Sequence, residues 1–257
     1  DRRKFFGASM LTAASLAEQS TLASGKQSGK KEFYEWREYE IKWGGSQAAL
    51  HQYLEKALIP ALNKHGVKQV GAFKEIGKSE PPKIYLLIPY PSMEEYVAIR
   101  DKVKKDSGFI ENSQAYDKMP PEKPVFTRVN TSLMIAFDGL PVMKKPAAGS
   151  RIFELRTYEG YNEDAVKRKI KMFNDEEFTI FYRVGLNPVF FGEMIAGDNL
   201  PALKYMCWFK DMAERDANWA KFGADADWKR VLADPQYANT VSNIIRVFLE
   251  PLNYSQV

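Results

Sequence analysis

Two short segments carry the residue types best suited to chemistry. Glu35, Arg37 and Tyr39 recur as Glu154, Arg156 and Tyr158, each set at spacing i, i+2, i+4. On a β-strand that spacing puts all three side chains on one face. Arginines so placed can bind a carboxylate or an enolate bidentately while a glutamate or tyrosine moves a proton. The same residues can instead neutralise one another, because buried charge is tolerated only when paired and hydrogen-bonded. The motif then serves strand register. The sequence leaves both readings open.

His51 and His65 are the only histidines. His65 precedes Gly66 at an expected helix end, where a protonated imidazole favours the helix dipole. General-base work and axial ligation of haem are the chemical alternatives for it, and haem ligation is an alternative for His51 too. Tyr85 and Tyr205 fall in aromatic-rich strands with Trp36, Phe190, Phe191 and Trp208, and could line an apolar ligand cavity. Cys207 is the single cysteine, set in an apolar run. It reads as a small buried hydrophobe, and no intramolecular disulfide can form. No Cys/His cluster has zinc spacing, so no metal is called for. No cofactor is called for either, haem being the one alternative. The chain lacks a nucleophile triad and a phosphate-cradling loop, which sets hydrolase and nucleotide chemistry aside.

The elements that must position these residues form an internal repeat. At an offset of 119, Glu35 falls on Glu154, Arg37 on Arg156, Tyr39 on Tyr158, Gly66 on Gly185, Val70 on Val189 and Met93 on Met212. One inserted residue would place Tyr85 on Tyr205. In the first copy, residues 33–41 alternate as a strand, broken at 44–46 with Ser46 a good N-cap. Leu50, Leu54, Ala57, Leu58, Ala61 and Leu62 recur at helical spacing. Pro60 should kink that helix, and Gly66 should stop it. Strands follow over 67–76 and 83–89, then a helix over 93–104, a long loop from 105 and a strand over 126–137. The second copy predicts strands over 151–159, 186–195, 203–209 and 242–250. Its helices fall over 162–183, 212–222 and 227–232, and Trp219 and Trp228 on them read as packing.

Each copy is therefore β-α-β-β-α-β, a ferredoxin-like unit. One such sheet leaves a face bare, and two copies can bury those faces on each other. The expected fold is α+β: two tandem ferredoxin-like βαββαβ modules packed sheet to sheet as an intrachain dimeric α/β barrel. The modules span 32–140 and 150–257, joined by a Pro/Lys/Ala/Gly linker at 141–149. Phe153, Leu155 and Thr157 should meet the helices. Both Glu-Arg-Tyr sets should then point into the barrel.

Of the 257 residues, 45% are apolar and 13% aromatic, enough for real cores. The formal charge of +4 lies wholly in residues 1–31, where six basic side chains face two acidic ones. The remainder has 31 of each sign and offers no basic surplus for nucleic acid. Asp1-Arg2-Arg3-Lys4-Phe5-Phe6 followed by a weakly apolar stretch resembles a bacterial twin-arginine (Tat) export signal over 1–17, ending Ser15-Leu16-Ala17. That stretch is about half the ~20 residues needed to span a bilayer. Residues 18–31 read as a flexible linker. The resemblance implies a periplasmic or extracellular protein.

Arg151-Ile152-Phe153-Glu154-Leu155-Arg156-Thr157-Tyr158 resembles the opening strand of NIPSNAP domains, and Arg246-Val247-Phe248-Leu249-Glu250-Pro251 resembles their ending. The first copy shares Glu35, Arg37 and Tyr39 and keeps the family's helix end in Leu58–Gly66, with His65. It has Ile135-Ala136-Phe137-Asp138 where the family ending would fall. The second copy has Val184 in place of the histidine. The resemblance implies the fold and supplies no settled catalytic residues. Related barrels include cofactor-free monooxygenases, haem proteins and binding modules. The expected function is a small-ligand-binding or protein-interaction module. The alternatives are a cofactor-independent monooxygenase- or isomerase-like enzyme acting on a small apolar-acidic molecule, and a haem-binding protein. Whether two chains associate into a homo-oligomer stays open.

Overall fold

The computed structural model describes residues 30–42, 47–149 and 151–257. The twin-arginine-like segment, nearly all of the 18–31 linker and the Ser46 cap lie outside the described residues. Among the described residues no helix is long and apolar enough to cross a membrane.

The first half runs β1 (Phe33–Glu40), α1 (Ala48–Gln52), a π-helical turn (Tyr53–Leu58), α2 (Ile59–Lys64), β2 (Gly71–Glu75), β3 (Lys83–Tyr90), α3 (Met93–Lys105), α4 (Ser107–Asp117) and β4 (Arg128–Ala136). The second runs β5 (Ile152–Glu159), α5 (Glu163–Met172), a π-helical turn (Phe173–Glu177), α6 (Phe178–Val184), β6 (Asn187–Ala196), β7 (Ala202–Phe209), α7 (Met212–Ala224), α8 (Ala226–Leu232) and β8 (Asn243–Pro251). The loop expected from residue 105 holds a three-turn helix, α4. Asp106 starts it, its carboxylate accepting from the Phe109 amide at 3.0 Å. Ser92, Asn162 and Asp211 cap α3, α5 and α7 in the same manner.

Strand order in the closed barrel is β1-β3-β2-β8-β5-β7-β6-β4. Each half is a ferredoxin-like sheet, and the halves join through β2–β8 and β4–β6, all pairs antiparallel. This is the expected tandem-module barrel. The β1–β3 and β5–β7 registers repeat one another without interruption: Arg37 faces Leu86 across β3, and Arg156 faces Tyr205 across β7. The 119-residue offset therefore holds through this strand. Tyr205 is the counterpart of Leu86, not of Tyr85, whose counterpart is Lys204. No inserted residue separates them.

The first helix continues past Pro60, and its π turn ends just before it. Thr179 holds the equivalent place in the second half, yet a π turn forms there too. The shared turn thus does not depend on proline. Gly185 ends the second helix in the left-handed region at φ 83°, where a side chain would be strained.

Three large apolar layers result. Tyr34, Trp36, Phe73, Phe153, Leu155, Phe190 and Met206 fill the barrel. Leu50, Leu54, Leu62, Ile84, Leu86 and Ile99 seal the first helical layer, and Phe173, Phe181, Phe191, Tyr205 and Phe222 seal the second. Each such large side chain contributes about 1.5–3 kcal/mol by leaving water. The linker over 141–149 is pinned to the barrel end. Lys144 N donates to the Val189 carbonyl at 2.8 Å, Met143 N donates to Glu32 at 2.7 Å, and the Met143 side chain joins the barrel core.

Candidate functional site at the barrel mouth

The two Glu-Arg-Tyr sets each share a strand face, as expected, but that face is turned to the helices. This corrects the expectation that they point into the barrel and that Phe153, Leu155 and Thr157 meet the helices. Phe153 and Leu155 belong to the barrel core and Thr157 to its mouth. The reason is where partners can be found. Helices bring long donors to a buried carboxylate, and an eight-stranded barrel is just wide enough for its own side chains.

In the first half Glu35 accepts from Arg37 Nε at 2.5 Å, Tyr90 Oη at 3.0 Å and Arg100 of α3 at 3.4 Å. In the second half Glu154 accepts from Arg156 Nε at 2.7 Å, Arg215 Nε at 2.9 Å and Trp219 Nε1 at 2.7 Å, the last two from α7. Burial would raise the Glu154 pKa, but the Arg215 and Arg156 guanidiniums outweigh it and hold the carboxyl below its ordinary value. Arg156 stacks on the Trp219 ring at 3.6 Å and donates to Tyr158 Oη at 3.2 Å. Tyr205 Oη donates to Tyr158 Oη at 2.8 Å. Tyr39 is buried in the first helical layer. Both sets are therefore paired inside helix–sheet interfaces. Trp219 holds a carboxylate as well as packing.

His65 Nε2 lies 3.0 Å from Asp106 Oδ2, and Lys64 Nζ reaches the same oxygen at 2.6 Å. The pair ties the end of α2 to the start of α4. His51 Nδ1 lies 2.8 Å from Tyr254 Oη, a different partner from that of His65, and burial pulls its pKa down. Cys207 is buried, and burial pushes its thiol up. Among the described residues no group of three or more His, Cys, Asp or Glu side chains could hold a metal ion.

The cavity lies elsewhere, at the open end of the barrel, with a volume of about 290 Å³. Ligand sites begin near roughly 300 Å³. Every strand contributes to its wall. The polar side is Glu38, Glu75, Lys83, Tyr85, Ser132 and Lys204, and the apolar side is Leu155, Met194, Ile245 and Val247. Tyr85 is thus the one candidate that lines it, and Tyr205 is across the sheet.

Lys204 sits at the centre of the polar side and is 5% exposed. Its Nζ lies 3.4 Å from Ser132 Oγ, 3.7 Å from Glu38 Oε1 and 5.7 Å from the centre of the Trp36 ring. Burial pulls its pKa below the ordinary lysine value, and the Glu38 carboxylate offsets part of that. Trp36 Nε1 donates to Glu38 Oε1 at 3.0 Å and fixes that carboxylate. Tyr85 Oη donates to Glu75, and burial together with that bond raises the phenol. The arrangement offers an amine, a fixed carboxylate and a carboxylate-bound phenol around one small space.

Glu38 and Lys204 are not apparent from motifs. One signal was present: Lys204 is the sole charged residue in Ala202–Phe209, a strand otherwise apolar or aromatic. A charge in such a run needs a partner or a cavity.

No curated protein matches the chain. Among solved structures, a candidate monooxygenase from Fusobacterium nucleatum has TM-score 0.57 at 13% identity, covering 87% of this chain and 93% of that one. A candidate monooxygenase from Lactobacillus acidophilus gives 0.54 at 12% identity, covering 86% and 94%. A NIPSNAP family protein from Agrobacterium tumefaciens gives 0.39 at 17% identity, covering 44% and 96%. The first two show a shared fold and nothing about activity. The NIPSNAP family pattern matches residues 34–121 and 153–256, most of both halves. With the two equivalent strands, helix ends and glutamate networks, this match establishes that the chain belongs to the NIPSNAP family.

Proposed function

We propose that the protein is a binding module for a small apolar-acidic molecule, held at the open end of the barrel. The observation that carries this reading is Lys204: a nearly buried amine, facing a cavity, whose one carboxylate contact among the described residues is the long 3.7 Å one to Glu38. A buried lysine is costly unless something compensates its charge. An acidic or carbonyl oxygen of a ligand supplies that compensation, and Leu155, Met194, Ile245 and Val247 meet its apolar body. The reading calls for no cofactor. The alternative of a cofactor-independent monooxygenase or isomerase drew on arginines free inside the barrel, and Arg37 and Arg156 are engaged under the helices instead.

Mass spectrometry of small molecules retained by the folded protein tests the proposal. A bound mass present in the native protein and absent from Thr157→Leu, which fills the mouth, is the expected result. Identical empty spectra for both proteins would count against it, and a Soret band would point to haem.

We also propose that the protein is exported, on the strength of Arg2-Arg3-Lys4-Phe5-Phe6. Replacing both arginines with lysine should trap it in the cytoplasm, and unchanged export would refute the reading.

A further inference from the structure

We propose that Lys204 forms a Schiff base with a small aldehyde or ketone bound at the barrel mouth. This rests on the reading of that cavity as a ligand site and names the ligand's reactive group. The geometry is that of an available amine. Lys204 Nζ has only long contacts, 3.4 Å to Ser132 Oγ and 3.7 Å to Glu38 Oε1. Lys169, the other buried lysine among the described residues, is bound directly to Glu177 and faces the Phe173 ring at 4.5 Å. Its amine is occupied; that of Lys204 opens on the cavity.

Imine formation needs a neutral amine, an acid–base group beside it and limited water. Charged groups face Lys204 from several elements: Glu38 of β1 and Asp198 of the β6–β7 turn favour its protonated form, and Lys83 of β3 opposes it. Glu75 of β2 is engaged by Tyr85. Burial outweighs the carboxylates, so the neutral amine is reached at lower pH than for a surface lysine.

In the step itself, the nitrogen lone pair attacks the carbonyl carbon, and the C=O π pair moves to oxygen. One nitrogen proton passes to that oxygen, giving a carbinolamine. The nitrogen pair then expels the hydroxyl, which leaves as water after taking from Glu38 the proton that this carboxylate accepted when the Lys204 ammonium was first neutralised. Glu38 then takes a proton from the iminium nitrogen. Two of the ammonium protons end in the water and the third on Glu38, and no oxidant or reductant is consumed.

Reductive trapping tests the proposal with 4-oxopentanoate and benzaldehyde as probes. The full protein is incubated with each probe and sodium cyanoborohydride, and adducts are located by peptide mapping. The expected result is one dominant adduct at Lys204, reduced at least tenfold in Lys204→Arg. Its pH profile should rise well below ~10.4, the ordinary lysine value. Circular dichroism checks that the variant is folded, and Lys204→Met gives a second, uncharged variant. Adducts spread evenly over surface lysines would overturn the proposal. Probe-induced thermal stabilisation that Lys204→Met abolishes, with no adduct, would overturn the covalent step and leave the ligand site standing. Neither stabilisation nor adduct would remove both.

Discussion

Lys169 and Glu177 form a buried ion pair at the positions where the first half of the barrel carries Leu50 and Leu58. The pair brackets the π turn of the second half, and both leucines are buried in the first helical layer. The same backbone thus accepts an ion pair or two leucines. Burial raises the Glu177 pKa against the pull of Lys169, so the carboxylate depends on its partner. Replacing one member leaves an uncompensated buried charge, at a cost of about 3–5 kcal/mol. Glu177→Leu alone should destabilise by that amount in urea unfolding. Lys169→Leu with Glu177→Leu should recover the loss and could exceed the native stability by ~1–4 kcal/mol. A double variant as weak as the single one would contradict this.

Glu154 predicts the acid response. Its folded pKa is held below the unfolded value by Arg215 and Arg156. Stability from such a group is fully present above the unfolded value, near ~4.3, and is lost as pH falls through the folded value. Glu154→Gln should cost about 2 kcal/mol at pH 7, the scale of a charged hydrogen bond. The gap between variant and native protein should shrink below about pH 4. A gap independent of pH, measured by denaturant unfolding across that range, would show that Glu154 is not the responsible group.

The glutamate networks and the barrel mouth lie on opposite sides of one sheet, so they should be separable. Arg156→Met removes the partner of a buried carboxylate and should destabilise by roughly 3 kcal/mol. It should leave ligand retention and Lys204 trapping unchanged within a factor of two. Thr157→Leu should do the reverse. Loss of trapping in a folded Arg156→Met protein would mean that the two faces are coupled.

The segment after β8 locks the halves together. Leu252 N donates to the Ala72 carbonyl and Gln256 N to the Val70 carbonyl, both at 2.9 Å. The Gln256 carboxamide accepts from the Val70 amide at 2.8 Å and donates to Asn63 at 2.7 Å. Gln256→Ala leaves the buried Val70 amide without that acceptor, at a cost of about 1–3 kcal/mol. Hydrogen exchange should quicken at Val70 ahead of the β1 and β3 amides. Equal rates in both proteins would place the anchorage elsewhere.

The duplicated βαββαβ order, nearly every strand, and the shared face of each Glu-Arg-Tyr set could be read from residue spacing alone. Periodicity reports which side chains travel together, because adjacent residues on a strand must point oppositely. It does not report which way the set points when both faces are buried. On β1, Tyr34 and Trp36 share one face and Glu35 and Arg37 the other, and every one of them is buried or partly buried. No contrast between wet and dry faces existed to decide it. The decision came from elements distant in sequence: Arg100 on α3, and Arg215 and Trp219 on α7, supply donors on the helix side.

The sequence by itself determined two modules, their closure into one chain and the conserved spacing of the charged triplets between halves. Tertiary structure alone decided that those triplets are structural ion pairs and that the polar cavity gathers Glu38, Tyr85, Ser132 and Lys204 from four strands. Local pattern fixes a residue's neighbours on its own element. A site at the mouth of a barrel is made by closure, which brings together residues as far apart in the chain as Glu38 and Lys204.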